Sequence, residues 1–119
     1  MAVWILKGGP AGQYDEKFLQ EGRIYAALPG ASVNLAILPD RDALSVALHR
    51  IFPNTQIGTL NSRLYQLWSF SQEMNKRDTV LLALADRPAI AVGEITGDYR
   101  FEHAAEDPFY HWRTVSWFA

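Results

Sequence analysis

The 119-residue chain contains no cysteine. Disulfides, thiolate metal sites and a cysteine nucleophile are therefore excluded, and a cytoplasmic location is the expectation. Long apolar runs are also missing. The longest, Thr79 to Ala85, is the length of a strand and far short of a bilayer-crossing helix. The N-terminus has no basic region followed by an apolar stretch, as a signal peptide would. Cations are not in excess: 11 Lys and Arg stand against 13 Asp and Glu. A protein that coats phosphate backbone nonspecifically needs many cationic contacts, so this balance speaks against one. It leaves room for a domain that grips one group in a pocket and adds a few local cations.

Signatures of catalysis are missing as well. His49, His103 and His111 lack zinc-ligand spacing, and His103 with Glu102, Glu106 and Asp107 reads as a solvated acidic loop. Glu94-Ile95-Thr96 lacks the lysine of a nuclease Glu-x-Lys, and no serine-nucleophile or phosphate-loop motif is present. The expectation is a binding module that does no chemistry and needs neither metal nor cofactor.

What is present is apolar and aromatic. Hydrophobic residues make up 49%, with four Trp, five Tyr and six Phe, enough for one closed core in a single domain spanning 1–119. Strands are expected at Val3–Lys7, Ile24–Leu28, Val33–Leu38, Thr79–Ala85, Ala89–Thr96 and Trp112–Phe118. Asp86-Arg87-Pro88 turns a hairpin, and Gly97-Asp98 interrupts its second arm before Tyr99-Arg100-Phe101. Helices are expected at Tyr14–Glu21, capped by Gly22; from the Asp40 cap to Ile51; and from Thr59 to Asn75. The last helix should bury Leu60, Leu64, Leu67, Ser71 and Met74. Strands at both ends with helices between them predict an α+β fold, not a doubly wound parallel sheet. The run ends in a strand at Ala119 without a polar tail, so an N-terminal domain of a longer protein is expected.

Three segments, in order, resemble the PUA-like superfamily, in particular EVE-type domains and the N-terminal domains of modification-dependent restriction proteins. The first is Trp4-Ile5-Leu6-Lys7-Gly8-Gly9-Pro10. The second runs from Leu67-Trp68-Ser69-Phe70 through Lys76-Arg77-Asp78-Thr79-Val80-Leu81, with Arg77 where the family usually has glycine. The third is Ile90 to Tyr99 followed by Asp107 to Trp117. The resemblance implies a PUA-like curved mixed sheet or open barrel flanked by about three helices. At its mouth it implies a pocket that holds a methylated or hydroxymethylated base flipped out of DNA. The partner would be nucleic acid, and the effector a restriction-type domain of the same longer chain. Ala27-Leu28 stands where restriction-associated members often carry a Gly-Trp pair, which removes one aromatic wall.

Candidate base-pocket residues are Trp4, Lys7, Gly8, Gly9, Tyr25, Trp68 and Tyr99. The glycines admit close backbone approach, and the rings offer stacking faces or hydroxyls. Trp4 and Trp68 read otherwise as core, the usual place of a tryptophan, and Tyr25 and Tyr99 as half-buried surface residues. Lys7, Arg50, Arg63 and Arg77 are the candidate phosphate contacts; a lone arginine is otherwise a solvated charge. His111 reads as structural. Two other functions fit the same features: RNA recognition by the same fold, and a protein-interaction or small-ligand sensor domain.

Overall fold

The computed structural model describes residues 2–118. It is an α+β fold with three helices and a six-stranded mixed sheet that does not close. Among the described residues, no helix is long and apolar enough to cross a membrane.

The first strand, β1 (Val3–Leu6), pairs in parallel with β3 (Thr79–Ala83), which is antiparallel to β4 (Ile90–Ile95). Next in the sheet comes β6 (His111–Trp117), and β2 (Arg23–Tyr25) forms the far edge. β5 (Arg100–Phe101) also pairs with β6. β4 and β5 are thus two pieces of one arm, broken at Gly97-Asp98 as the sequence suggests. The first strand, the hairpin and the closing strand do share one sheet.

Helix α1 (Asp15–Glu21) ends on Gly22, which is left-handed at φ 64° and donates to the Phe18 carbonyl. Helix α2 (Arg41–Ile51) is capped by Asp40, whose carboxylate accepts from the Ala43 amide at 2.9 Å. Helix α3 (Ile57–Trp68) follows. Leu44 and Leu48 of α2, Leu60 and Leu67 of α3, Val80 and Leu82 of β3 and Ile95 of β4 share one buried cluster. Alternation sends Val80 and Leu82 inward, while Leu81 lies on the half-buried outer face.

Three expectations are corrected. Val33–Leu38 is not a strand: Leu35–Ile37 forms a 3₁₀ turn, because the Asn34 side chain accepts from the Ala36 amide at 3.0 Å and curls the chain. The second strand stops at Tyr25 instead of Leu28. Ala26 still donates to the His111 carbonyl, but Leu28 then turns back to the Ala26 carbonyl, and Pro29 has no N–H to extend a ladder. The long helix starts at Ile57, two residues early, and its α-helical part ends at Trp68 in a π-helical turn over Ser69–Glu73. Leu67, Ser71 and Met74 are buried, but Leu64 is only half-buried.

Candidate functional site

The open side of the sheet is where the structure leaves room. The end of β1 and the segment after β2 flank a cleft of about 760 Å³, with α3 along its third side. That volume lies within the range of about 300–1,000 Å³ usual for small-molecule sites. Its walls are mainly apolar: Ile5 and Leu6 on one side, Ala27, Leu28 and Pro29 on the other, and Phe70 beneath. Phe70 is only 3% exposed, so it serves as floor more than as a broad stacking face.

Four of the expected site residues meet here: Lys7, Gly9, Tyr25 and Arg63. Lys7 follows β1 directly. Gly9 sits at φ 89°, a conformation natural to glycine, and turns the loop at the cleft rim. Arg63 projects from α3, its guanidinium 4.6 Å from the centre of the Phe52 ring. Among the described residues, neither Lys7 nor Arg63 has a carboxylate within ion-pair distance, whereas Lys17, Arg23, Arg41, Lys76 and Arg87 each do. The Tyr25 hydroxyl is already occupied, donating to Glu21 and accepting from Arg23 at 3.2 Å. Burial, followed by the Glu21 hydrogen bond, raises its pKa. Tyr25 therefore offers the cleft its ring and not a free hydroxyl.

The other expected residues lie elsewhere. The Trp4 indole donates to the buried Asp78 carboxylate at 2.9 Å. Asp78 also accepts from the Ala2 and Asn75 amides. Burial alone would raise the Asp78 pKa, but these three donations hold it below the ordinary carboxyl value. Trp4 is thus half-buried structure, tying β1 to the turn before β3. Gly8 is buried against α1: its carbonyl accepts from the Tyr14 amide, and a Cβ there would collide with the Asp15 carboxylate. Trp68 packs at the edge of the core beside Arg41, away from the cleft.

Tyr99 belongs to a buried polar chain. The Leu35 amide donates to its hydroxyl at 3.1 Å, and that hydroxyl lies 2.7 Å from Nδ1 of His111. Nε2 of His111 lies 2.6 Å from the Ala31 carbonyl, which can only accept, so Nε2 carries the proton and Nδ1 accepts from Tyr99. Burial holds the fully buried imidazole below its usual pKa, against the opposing pull of the Ala31 bond. Burial also pushes the Tyr99 phenol up to about 12, although the Leu35 donation and the Arg113 charge oppose it. His111 is structural, as expected, and Tyr99 is its partner.

Nearby, the buried Arg113 donates to the carbonyls of Phe70, Ser71 and Gly97 at 2.9, 3.2 and 3.2 Å. It ties the π-helical turn to β6 and satisfies carbonyls that a helix end leaves orphaned. Of the remaining arginines, Arg50 is exposed at the end of α2. Arg77 is exposed in the turn before β3 at φ 78° and donates its amide to the Ile95 carbonyl. That left-handed backbone is one glycine adopts most readily. Neither arginine lines the cleft.

Sequence reasoning missed Gln66. It lines the cleft one turn along α3 from Arg63, on the same side as Phe70. The 63, 66, 70 spacing places all three on one helical face, and that signal was legible. It went unused because the expected apolar stripe ran through Leu60, Leu64 and Leu67.

Residues 42–119 match the family model of a domain of unknown function, DUF8426. The chain belongs to that family. No curated protein and no solved structure matches it. The DUF8426 match covers nearly all of α2, α3 and β3 to β6, while β1, α1 and β2 lie outside it. Within this DUF8426 chain the cleft spans both parts: Arg63, Gln66 and Phe70 come from the matched segment, Lys7, Gly9 and the Ala27 wall from the segment before it.

Proposed function

We propose that the cleft is a base-binding pocket and the chain a PUA-like reader of modified nucleic acid. It holds a methylated or hydroxymethylated base flipped out of DNA and so targets a restriction-type effector of the same longer chain. The domain acts by binding, and the effector supplies the chemistry.

The observation that carries this reading is the pair of unpaired cations, Lys7 and Arg63, on the rim of an otherwise apolar cleft at the unclosed side of the sheet. A flipped base requires desolvated walls, a ring or two to lie against, and cations for the flanking phosphates. The apolar walls and the two cations meet the first and last of those needs, while the buried Tyr25 and Phe70 rings contribute floor and edge. Having few phosphate contacts is consistent with the net charge of −2.

A second reading has its own observation. Val3 and Ile5 are 61% and 78% exposed on the edge strand beside the cleft, which suits a protein partner. Titrating DNA and RNA oligonucleotides, modified and unmodified, at one stated salt concentration separates the readings. The base-reader account expects tighter binding to a modified DNA strand and loss of that binding in Ala27→Trp, which fills the cleft. Equal binding of modified and unmodified strands would remove it, and a preference for RNA would move the function to RNA recognition.

A further inference from the structure

The core lies on one face of the sheet, and the other face is open. Val80, Leu82 and Ile95 point into the core, so alternation turns Leu81 and Val92 outward. Strand register then builds an apolar row across the open face. Ile5 stands opposite Leu81, and Leu81 opposite Val92. The Phe118 amide donates to the Val92 carbonyl at 2.9 Å and extends the row past β6. Trp117 before it points inward, its indole donating to the Phe18 carbonyl, so Phe118 points out. Ile5 is 78% exposed and Phe118 64%. Two residues along β4 on one side, Ile90 is exposed as well. On the other side Thr79, Glu94 and Ser116 make the face polar, with Val3 at its edge. The open face of a sheet ordinarily alternates to polar residues, and an unbroken apolar row departs from that pattern. Among the described residues, no element packs over it: Val3, Ile5, Ile90 and Phe118 are all exposed.

We propose that this face is the interface of a homodimer, with a second copy of the chain laid sheet against sheet. Area argues for a second copy. The row with Val3 and Ile90 exposes on the order of 500 Å² of apolar surface, near the upper end for one patch on a monomer. Two such patches with their polar margins bury about 1,200 Å², the lower end for a specific interface. Charge sets the arrangement. Glu94 is the only charged side chain in these rows. A two-fold axis running along the apolar row lays that row on its own copy and sets each Glu94 opposite Ile90 of the partner subunit. The two Glu94 carboxylates then lie about 13 Å apart along the strands, farther than the screening length of about 8 Å. The strands of the two copies run antiparallel within about 30°, as in an aligned sandwich. Of the row only Ile5 also lines the cleft, so the inference does not depend on what the cleft binds.

Sedimentation equilibrium tests it. The wild-type chain should show twice its 13.4 kDa mass at a concentration of about 100 μM, where an interface of this size still associates. Ile5→Lys and Phe118→Lys should each raise the dimer dissociation constant by roughly tenfold or more, as loss of a central anchor does. Both side chains are largely exposed, so each variant keeps its fold, which circular dichroism and the unfolding midpoint verify. Val46→Lys, at an exposed apolar position on α2, should dimerise like the wild type. Ile90→Lys meets Glu94 of the partner subunit and should weaken the dimer less than Ile5→Lys. A wild-type chain that stays monomeric at that concentration, or a dimer that neither row substitution weakens, would overturn the proposal. Equal weakening by Val46→Lys would overturn it too, and Ile90→Lys as damaging as Ile5→Lys would overturn the two-fold arrangement.

Discussion

The cleft beside β1 and the buried polar region around His111 are built from the same kinds of residue and do opposite things with them. At His111 the buried side chains are partnered: Leu35, Tyr99, His111 and Ala31 form one chain, and Arg113 closes three carbonyls, although the Trp112 indole N–H between them is buried without a partner among the described residues. At the cleft, among the described residues, Lys7 and Gln66 have no hydrogen-bond or ion-pair partner, and Arg63 lies over the Phe52 ring without a carboxylate partner. Satisfied buried polar groups fix a structure, whereas unpaired ones around an apolar cleft are available to a ligand. By residue type alone, Tyr99 and Arg63 are equally good site candidates. Their partners are what separate them.

Breaking the closed region should cost most. Arg113→Met leaves three carbonyls without a donor and should lower stability by roughly 3–5 kcal/mol in chemical denaturation. A loss below about 1 kcal/mol would mean that these bonds are replaced by water and that the region is not closed. Truncation of the long helix follows. Leu67→Ala should cost about 2–5 kcal/mol, and Leu64→Ala distinctly less, because only Leu67 is fully buried. Equal losses would contradict the burial difference between the two leucines.

The next effect depends on pH. The folded imidazole of His111 has a lowered pKa, so the unfolded chain binds the proton more readily. The contribution of His111 is therefore complete above the unfolded value of about 6.5 and is lost as pH falls through the depressed folded value. Unfolding free energy should decline with falling pH from about 6.5, and His111→Asn should flatten that decline. Asp78, also lowered, acts in a separate window: its contribution is present above about 4 and is lost as pH falls through its folded value. A stability profile flat from pH 7 to 5 in the wild type would show that His111 gains a proton without cost.

The smallest stability effects belong to the cleft. Lys7→Met and Arg63→Met should each change stability by no more than about 0.5 kcal/mol, as surface substitutions do. Each should nevertheless weaken binding of modified and unmodified strands alike and reduce the salt slope by about 1. A large stability loss in either would move that residue into the structural class with Tyr99.

Much of the fold was legible from local signals. The Asp40 cap, the Gly22 terminus, the β3–β4 hairpin and the interruption at Gly97-Asp98 each rest on short-range chemistry and stand where expected. Val33–Leu38 misled because apolar β-branched residues suggest a strand, and the Asn34 side chain overrides them. Site residues divided along the same line. Lys7 and Gly9 follow directly from a strand end, and Arg63 from an exposed helical position. Trp4 and Tyr99 could not be assigned, because their partners, Asp78, Leu35 and His111, are distant in sequence. Gln66 shares a helical face with Arg63 and Phe70, a spacing legible in the sequence but masked by the apolar stripe expected through Leu60, Leu64 and Leu67.

Chemical-shift mapping of the isotope-labelled domain, titrated with an oligonucleotide carrying one modified base, addresses the contrast most directly. The account predicts perturbed amides at Lys7, Gly9, Ala27, Arg63 and Gln66, with the amides of Tyr99, His111 and Arg113 unmoved. Perturbation centred on Tyr99 and His111, or a modified strand that shifts no amide around the cleft, would contradict it.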